Sequence, residues 1–158
     1  MSKLLANILL ALAWIAATGA VTPFNFVVGL VLGYLVLYMA SPIERRSPYF
    51  IKVWRVVSFA AFAIKELVKA NLQMARWTVG RLDQLRPAIL AVPLQADMTD
   101  TEITVLGNLI TLTPGTLTLD VSHDRSVLFV HFMHVEDPQA EKDAIRNGFE
   151  RRLLEITR

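Results

Sequence analysis

The run LLANILLALAWIAATGAVTPFNFVVGLVLGYLVLYMASPI, residues 4–43, contains no Asp, Glu, Lys or Arg. A helix needs about 20 apolar residues to cross the hydrocarbon core of a bilayer, and this run is close to twice that length. Thr22-Pro23-Phe24-Asn25 interrupts it at the middle. Proline lacks a backbone N–H and fixes φ, so helices seldom pass through it undisturbed. The run therefore predicts a transmembrane helical hairpin with spans at about 4–21 and about 24–40, joined by a very tight turn. A cleaved signal peptide is the rival reading of the first segment, with Lys3 as its charged start and the small residues Ala16, Ala17, Thr18, Gly19 and Ala20 as its exit. Cleavage there would leave a chain beginning almost inside the second span. The retained hairpin is the better reading.

Working outward, the charges divide sharply. Residues 1–87 hold ten Lys/Arg against three Asp/Glu, and residues 88–158 hold six against eleven. The basic half is also the apolar half, which points to lipid rather than to nucleic acid, whose binders carry basic residues on a polar domain. Lys3 precedes the hairpin and Arg45, Arg46, Lys52 and Arg55 follow it, while its turn has no cation. Positive residues stay inside, so both termini are expected to be cytoplasmic in a multi-pass protein of the plasma membrane. Gly29 and Gly33 place two small residues on one face of the second helix, as Ala13/Ala17 and Ala16/Ala20 do on the first, and such pairs let helix backbones approach closely.

Residues 50–81 predict an amphipathic helix. Lys52, Arg55, Phe59, Phe62, Glu66, Lys69, Gln73 and Arg76 recur at spacings of three and four, opposite Val53, Val57, Ala60, Ile64, Leu67, Val68 and Leu72. Lying in the membrane interface suits that pattern, with Lys and Arg stems reaching the headgroups. A third span packed on partner helices is the alternative. Lys65 and Glu66, the only adjacent opposite-charge pair here, read as part of a solvated stripe, with a buried polar contact to another subunit as the alternative.

The remaining seventy or so residues read as β-α-β-β-α. Arg86-Pro87 closes the amphipathic helix, and 88–94 is an edge strand with Pro93 near its end. Thr99 and Glu102 form a capping box ahead of the apolar stripe Ile103, Leu106, Leu109 and Ile110. Thr113-Pro114-Gly115-Thr116 has the type II turn order, leading to a strand with Leu117, Leu119 and Val121 on one face. After the turn at His123-Asp124-Arg125, residues 127–135 form a third strand. Asp137-Pro138 opens a last helix that buries Ile145, Phe149, Leu153 and Ile156. This order is a ferredoxin-like α+β unit without its final strand. The organisation expected is thus a hairpin at 1–43, a basic amphipathic connector at 44–86 and a cytoplasmic unit at 87–158.

No residue set for catalysis stands out. With no cysteine, thiol catalysis, zinc knuckles and disulfides are excluded. His131 and His134 are three apart on an expected strand and point to opposite faces, so they cannot chelate one metal ion. The Thr-rich string around Gly115 has neither the spacing nor the lysine of a phosphate loop. The expectation is therefore a non-enzyme with no cofactor or metal. Gly29, Gly33, Lys65, Glu66, Pro114 and Gly115 are its structural or interface residues.

The string Leu109-Ile110-Thr111-Leu112-Thr113-Pro114-Gly115-Thr116 closely resembles the E subunit of Mrp-type multisubunit sodium/proton antiporters. Val130-His131, the helix start at Glu136-Asp137, Ile64-Lys65-Glu66-Leu67, Ala70-Asn71 and Arg86-Pro87 extend the resemblance over nearly the whole chain. It implies a bacterial plasma-membrane complex in which the large subunits translocate ions and this chain is an accessory needed for assembly or full activity. Its partners would be the other antiporter subunits and membrane lipid, with no nucleic acid. A membrane-anchored cytosolic binding or regulatory module is the alternative.

Overall fold

The computed structural model describes residues 2–41, 48–80 and 85–158. Arg45, Arg46 and Arg81, used above for orientation and for the end of the amphipathic helix, lie outside the described residues. Contacts divide the chain into two compact units, Met1–Trp54 and Arg55–Arg158, with the boundary inside one helix.

In the first unit, α1 spans Lys3–Thr18 and α2 spans Pro23–Met39. The Ser2 side chain accepts from the Leu5 N–H, and Gly19 ends α1 in the left-handed conformation at φ 66°. Thr22 caps α2, and Pro23 takes the first helical turn, where its missing N–H costs nothing. The first expected span is corrected in length, while the second keeps its length and starts one residue earlier. Gly19 stops α1 after 16 residues and α2 has 17, rises of about 24 and 26 Å. Among the described residues, no helix is long and apolar enough to cross a membrane.

The amphipathic segment is one helix, α3, Pro48–Val79, of 32 residues. Its first turns belong to the hairpin unit, where Phe50 is buried with its ring centroid 5.4 Å from that of Tyr34 and 5.6 Å from that of Tyr38. From Arg55 onward it belongs to the second unit.

That unit continues as β1 (Ala88–Pro93), α4 (Asp100–Leu112), β2 (Thr116–Val121), β3 (Val127–Phe132), α5 (Pro138–Ile145), a π turn (Arg146–Glu150) and α6 (Arg151–Thr157). The β-α-β-β-α order is the one expected. The sheet is antiparallel throughout, in the order β1-β3-β2. The central strand β3 turns Leu128, Val130 and Phe132 inward, onto Val92 of β1, Ile103, Leu106 and Ile110 of α4, and Ile145, Leu153 and Leu154 of the last helices. Leu106 and Leu128 are fully buried, and truncating either to Ala would cost about 2–5 kcal/mol.

Local chemistry sets the ends of these elements. The Thr99/Glu102 capping box is present. The Thr116 N–H donates to the Thr113 carbonyl at 3.2 Å, and Gly115 sits at φ 93°, the geometry that turn demands. The third strand is shorter than expected and stops at Phe132, although the Met133 N–H still donates to the Gly115 carbonyl at 2.8 Å, the next pair in the β2 register. The last helix holds a feature with no sequence signal. A π turn over Arg146–Glu150 shifts its register, so that Leu153 and Leu154 are buried while Phe149 and Ile156 are only half-buried.

Candidate functional sites: a helical seam and a cleft

The seam between α1 and α2 is built from small residues. A Cβ placed on Gly29 would lie 2.9 Å from the Ala11 Cα and 3.0 Å from its carbonyl oxygen. One placed on Gly33 would collide with Asn7 Oδ1 and lie 3.1 Å from the Leu10 Cβ. Both glycines therefore stand where the sequence places a close helix approach. Their partners are Ala11 and Asn7, rather than the expected small pairs Ala13/Ala17 and Ala16/Ala20. Asn7 is the residue that sequence reasoning missed. It is buried, its amide donates to the Tyr49 hydroxyl at 2.7 Å, and its Oδ1 has no hydrogen-bond partner among the described residues. At one end of the seam, the Lys3 ammonium donates to Ser41 Oγ at 3.0 Å, and that hydroxyl donates to the Leu37 carbonyl at 2.6 Å.

The second site is a cleft of ≈ 430 Å³ in the Arg55–Arg158 unit, between α3, the Pro114-Gly115 turn, the end of β3 and α5 with its π turn. The mostly polar stripe of α3 is the face that carries these contacts. Phe62 meets Phe149 edge-on, with centroids 5.3 Å apart, and its ring lies 4.4 Å from the guanidinium carbon of Arg152. Gly148 fits against Phe62 because a Cβ there would come within 3.1 Å of the ring. Lower in the cleft, Trp77 packs on His134 with centroids 5.4 Å apart. The His134 ring is held by the Arg86 N–H, which donates to Nδ1 at 3.2 Å, and by Glu136 Oε1, 3.4 Å from Nε2.

Lys65 and Glu66 have different surroundings within this chain. Lys65 is exposed, while Glu66 lines the cleft and pairs with Lys69 at 3.7 Å. The opposite, apolar stripe of α3 is open, with Ile64 61% and Leu72 59% exposed.

Three buried or half-buried carboxylates have shifted acidity. Glu102 is held below the usual range, first by the Thr157 hydroxyl and then by the Thr99 backbone N–H, against the opposing effect of burial. Burial pushes Glu141 up, with Lys69 and His134 partly offsetting it. Burial also raises Glu150, whose Oε1 accepts the Gln95 N–H at 2.5 Å while Oε2 is unpartnered among the described residues.

Comparison with known proteins gives these sites a context. The family described as Na+/H+ ion antiporter subunit matches residues 7–156. The chain is 34% identical over 156 residues to the Na(+)/H(+) antiporter E subunit of Bacillus subtilis (strain 168), covering 99% of this chain and 98% of the relative. It is 30% identical over 156 residues to the like-named protein from Alkalihalophilus pseudofirmus, with the same coverage of 99% and 98%. Among solved structures, it is similar to a chain of the Mrp complex from Dietzia sp. DQ12-45-1b, at 26% identity and TM-score 0.51, over 66% of this chain and 96% of that one. A chain of the archaeal membrane-bound sulfane sulfur reductase shares the fold at TM-score 0.57 and 23% identity, over 96% of each. On a match that covers residues 7–156, and on relatives aligned almost end to end, this chain belongs to the family of Na+/H+ antiporter E subunits.

Proposed function

We propose that this chain is an accessory, non-translocating subunit of a multisubunit sodium/proton antiporter, supporting assembly and activity of the complex in the bacterial plasma membrane. The observation that carries this reading is the chemistry of the hairpin. Ion pathways through a bilayer need ionisable groups at depth, and residues 4–43 have none. What the seam offers instead is close packing at Gly29 and Gly33 and one buried amide, Asn7, which suit helix association rather than transport. In this reading α1 and α2 cross the membrane with little tilt. The short connection after Gly19 and a reaching Lys3 make up the few ångströms that helices of about 25 Å lack against a hydrocarbon core of about 30 Å. The open apolar stripe of α3 meets lipid or neighbouring subunits, and the C-terminal residues form a cytoplasmic ferredoxin-like unit lacking its last strand. Purification of a tagged chain in mild detergent tests the proposal. Co-purification with the large antiporter subunits is expected, and recovery of the chain alone would overturn it.

The cleft favours a second reading, a membrane-anchored binding or regulatory module. A complex that keeps full antiport when the cleft is blocked by Gly148→Phe would leave that reading without support.

A further inference from the structure

The cleft has the volume of a small-ligand site, and its groups have not all found partners. Hydroxyl protons on its rim are used internally: Thr113 Oγ1 donates to the Leu109 carbonyl at 3.1 Å and Thr116 Oγ1 to the Ile110 carbonyl at 2.6 Å. Both ring nitrogens of His134 are engaged by Arg86 and Glu136. Among the described residues, Lys69 is the one Lys or Arg in the lining, and it is paired with Glu66, its own side chain being 69% exposed. The Glu141 carboxylate has no hydrogen bond or ion pair among the described residues, although it lines the same cleft and the residue is half-buried. Two carboxylates therefore face one solvated ammonium, and the imbalance is negative.

The walls favour the same sign. Four Phe or Trp rings line the cleft, those of Phe62, Trp77, Phe132 and Phe149. One of them already holds a cation, since the Arg152 guanidinium lies over Phe62. Indole attracts cations more strongly than phenyl does, and among the described residues Trp77 packs on His134 but has no Lys or Arg over its ring.

We propose that this cleft binds an organic cation, an alkylammonium or alkylguanidinium group, with Glu141 and Glu66 as its carboxylate partners and Trp77 as its aromatic wall. Lys69 sets the selectivity by neutralising Glu66 when the cleft is empty and swinging to solvent when a ligand cation arrives. The cation is supplied either by a free small molecule or by a Lys or Arg side chain of a neighbouring chain. The chemistry is shared, and the two sources are separable by experiment.

The test uses the full chain in detergent with Trp14→Phe and Trp54→Phe, which leaves Trp77 as the only indole of the three. Butylammonium and butylguanidinium are titrated against Trp77 emission, with butyrate as the anionic control. A saturable change is expected for both cations and none for butyrate. Glu141→Gln should weaken binding about tenfold, the size expected when a partly buried charge loses its partner. Should that variant unfold, Glu66→Gln on the opposite wall gives the same reading by a smaller factor. Absence of a saturable response, or unchanged affinity in both Gln variants, overturns the proposal. Repeating the titration on the assembled complex then assigns the source. Retained binding identifies a free cation, and binding lost on assembly identifies a side chain of a neighbour.

Discussion

The amide of Asn7, on α1, donates to the hydroxyl of Tyr49, in the first turn of α3, at 2.7 Å across 42 positions of sequence. Asn7 is otherwise enclosed by the Gly33 side of α2, and a hydrogen bond there fixes register as well as adding stability. Tyr49→Phe should lower the stability of the full chain in detergent by about 1 kcal/mol, because the buried amide loses a partner. Asn7→Leu should cost more, since the larger branched side chain cannot sit beside Gly33. Thermal unfolding of the two variants checks the order.

The two seam glycines should respond differently to alanine. At Gly29 the new Cβ meets backbone, the Ala11 Cα and carbonyl, which cannot yield without moving the helix. At Gly33 it meets chiefly the side-chain oxygen of Asn7. Gly33→Ala should therefore be rescued by Asn7→Ala, whereas Gly29→Ala should not be. A double-mutant cycle on melting temperature reads this directly. Gly33→Leu should reduce the yield of intact complex more than antiport per assembled complex.

Much of the C-terminal unit is legible in the sequence because its signals are local. The Thr99/Glu102 box, Pro138 after its Asp137 cap and the Pro114-Gly115 turn each act within four residues, and each forms as expected. Gly19 carries the same kind of signal, yet the length of the apolar run outweighs it and predicts a first helix that ends three residues too late. Other features cannot be read because their cause is distant. The π turn at Arg146–Glu150 brings Gly148 onto Phe62, eighty-six positions earlier. The cleft joins residues of α3, a turn and α5, and nothing near Glu141 in the chain announces Trp77 or Glu66.

The Pro114-Gly115 corner predicts a graded series. Gly115→Val should be severe, because a β-branched residue at φ 93° is strained and its side chain would press on Trp77, 3.5 Å from the Cβ position. Pro114→Ala should cost only about 0.4–1 kcal/mol, mainly through the unfolded chain. Thr116→Val removes the hydroxyl that ties β2 to the end of α4 and should cost about 1 kcal/mol. Antiport per assembled complex should be unchanged in Pro114→Ala and Thr116→Val; specific loss would mark the string as a site rather than a corner.

Topology has its own test, since the chain contains no cysteine. Single cysteines at Ser2, Asn25 and the exposed Asn108 can be labelled in whole cells with an impermeant thiol reagent. Asn25→Cys should label from outside, and Ser2→Cys and Asn108→Cys only after permeabilisation. External labelling at Asn108 would mean that α3 crosses the membrane.

Acid titration should reveal two carboxylates working in opposite senses. Glu102 has a lowered folded pKa, so the stability it contributes is present above its unfolded pKa and is lost as pH falls through the folded one. Thr157→Val removes the largest cause of that lowering and should move acid unfolding to higher pH. Glu150 has a raised folded pKa, so the folded state binds its proton more tightly than the unfolded state does. Its contribution is most favourable below the unfolded pKa and declines as pH rises through the folded one. Glu150→Gln keeps an Oε1 acceptor for the Gln95 N–H while removing the buried charge. It should therefore raise the melting temperature of the full chain at pH 8, with the gain shrinking toward pH 4. A gain that stayed constant across that range would show that packing at the π turn, not the charge, governs the effect.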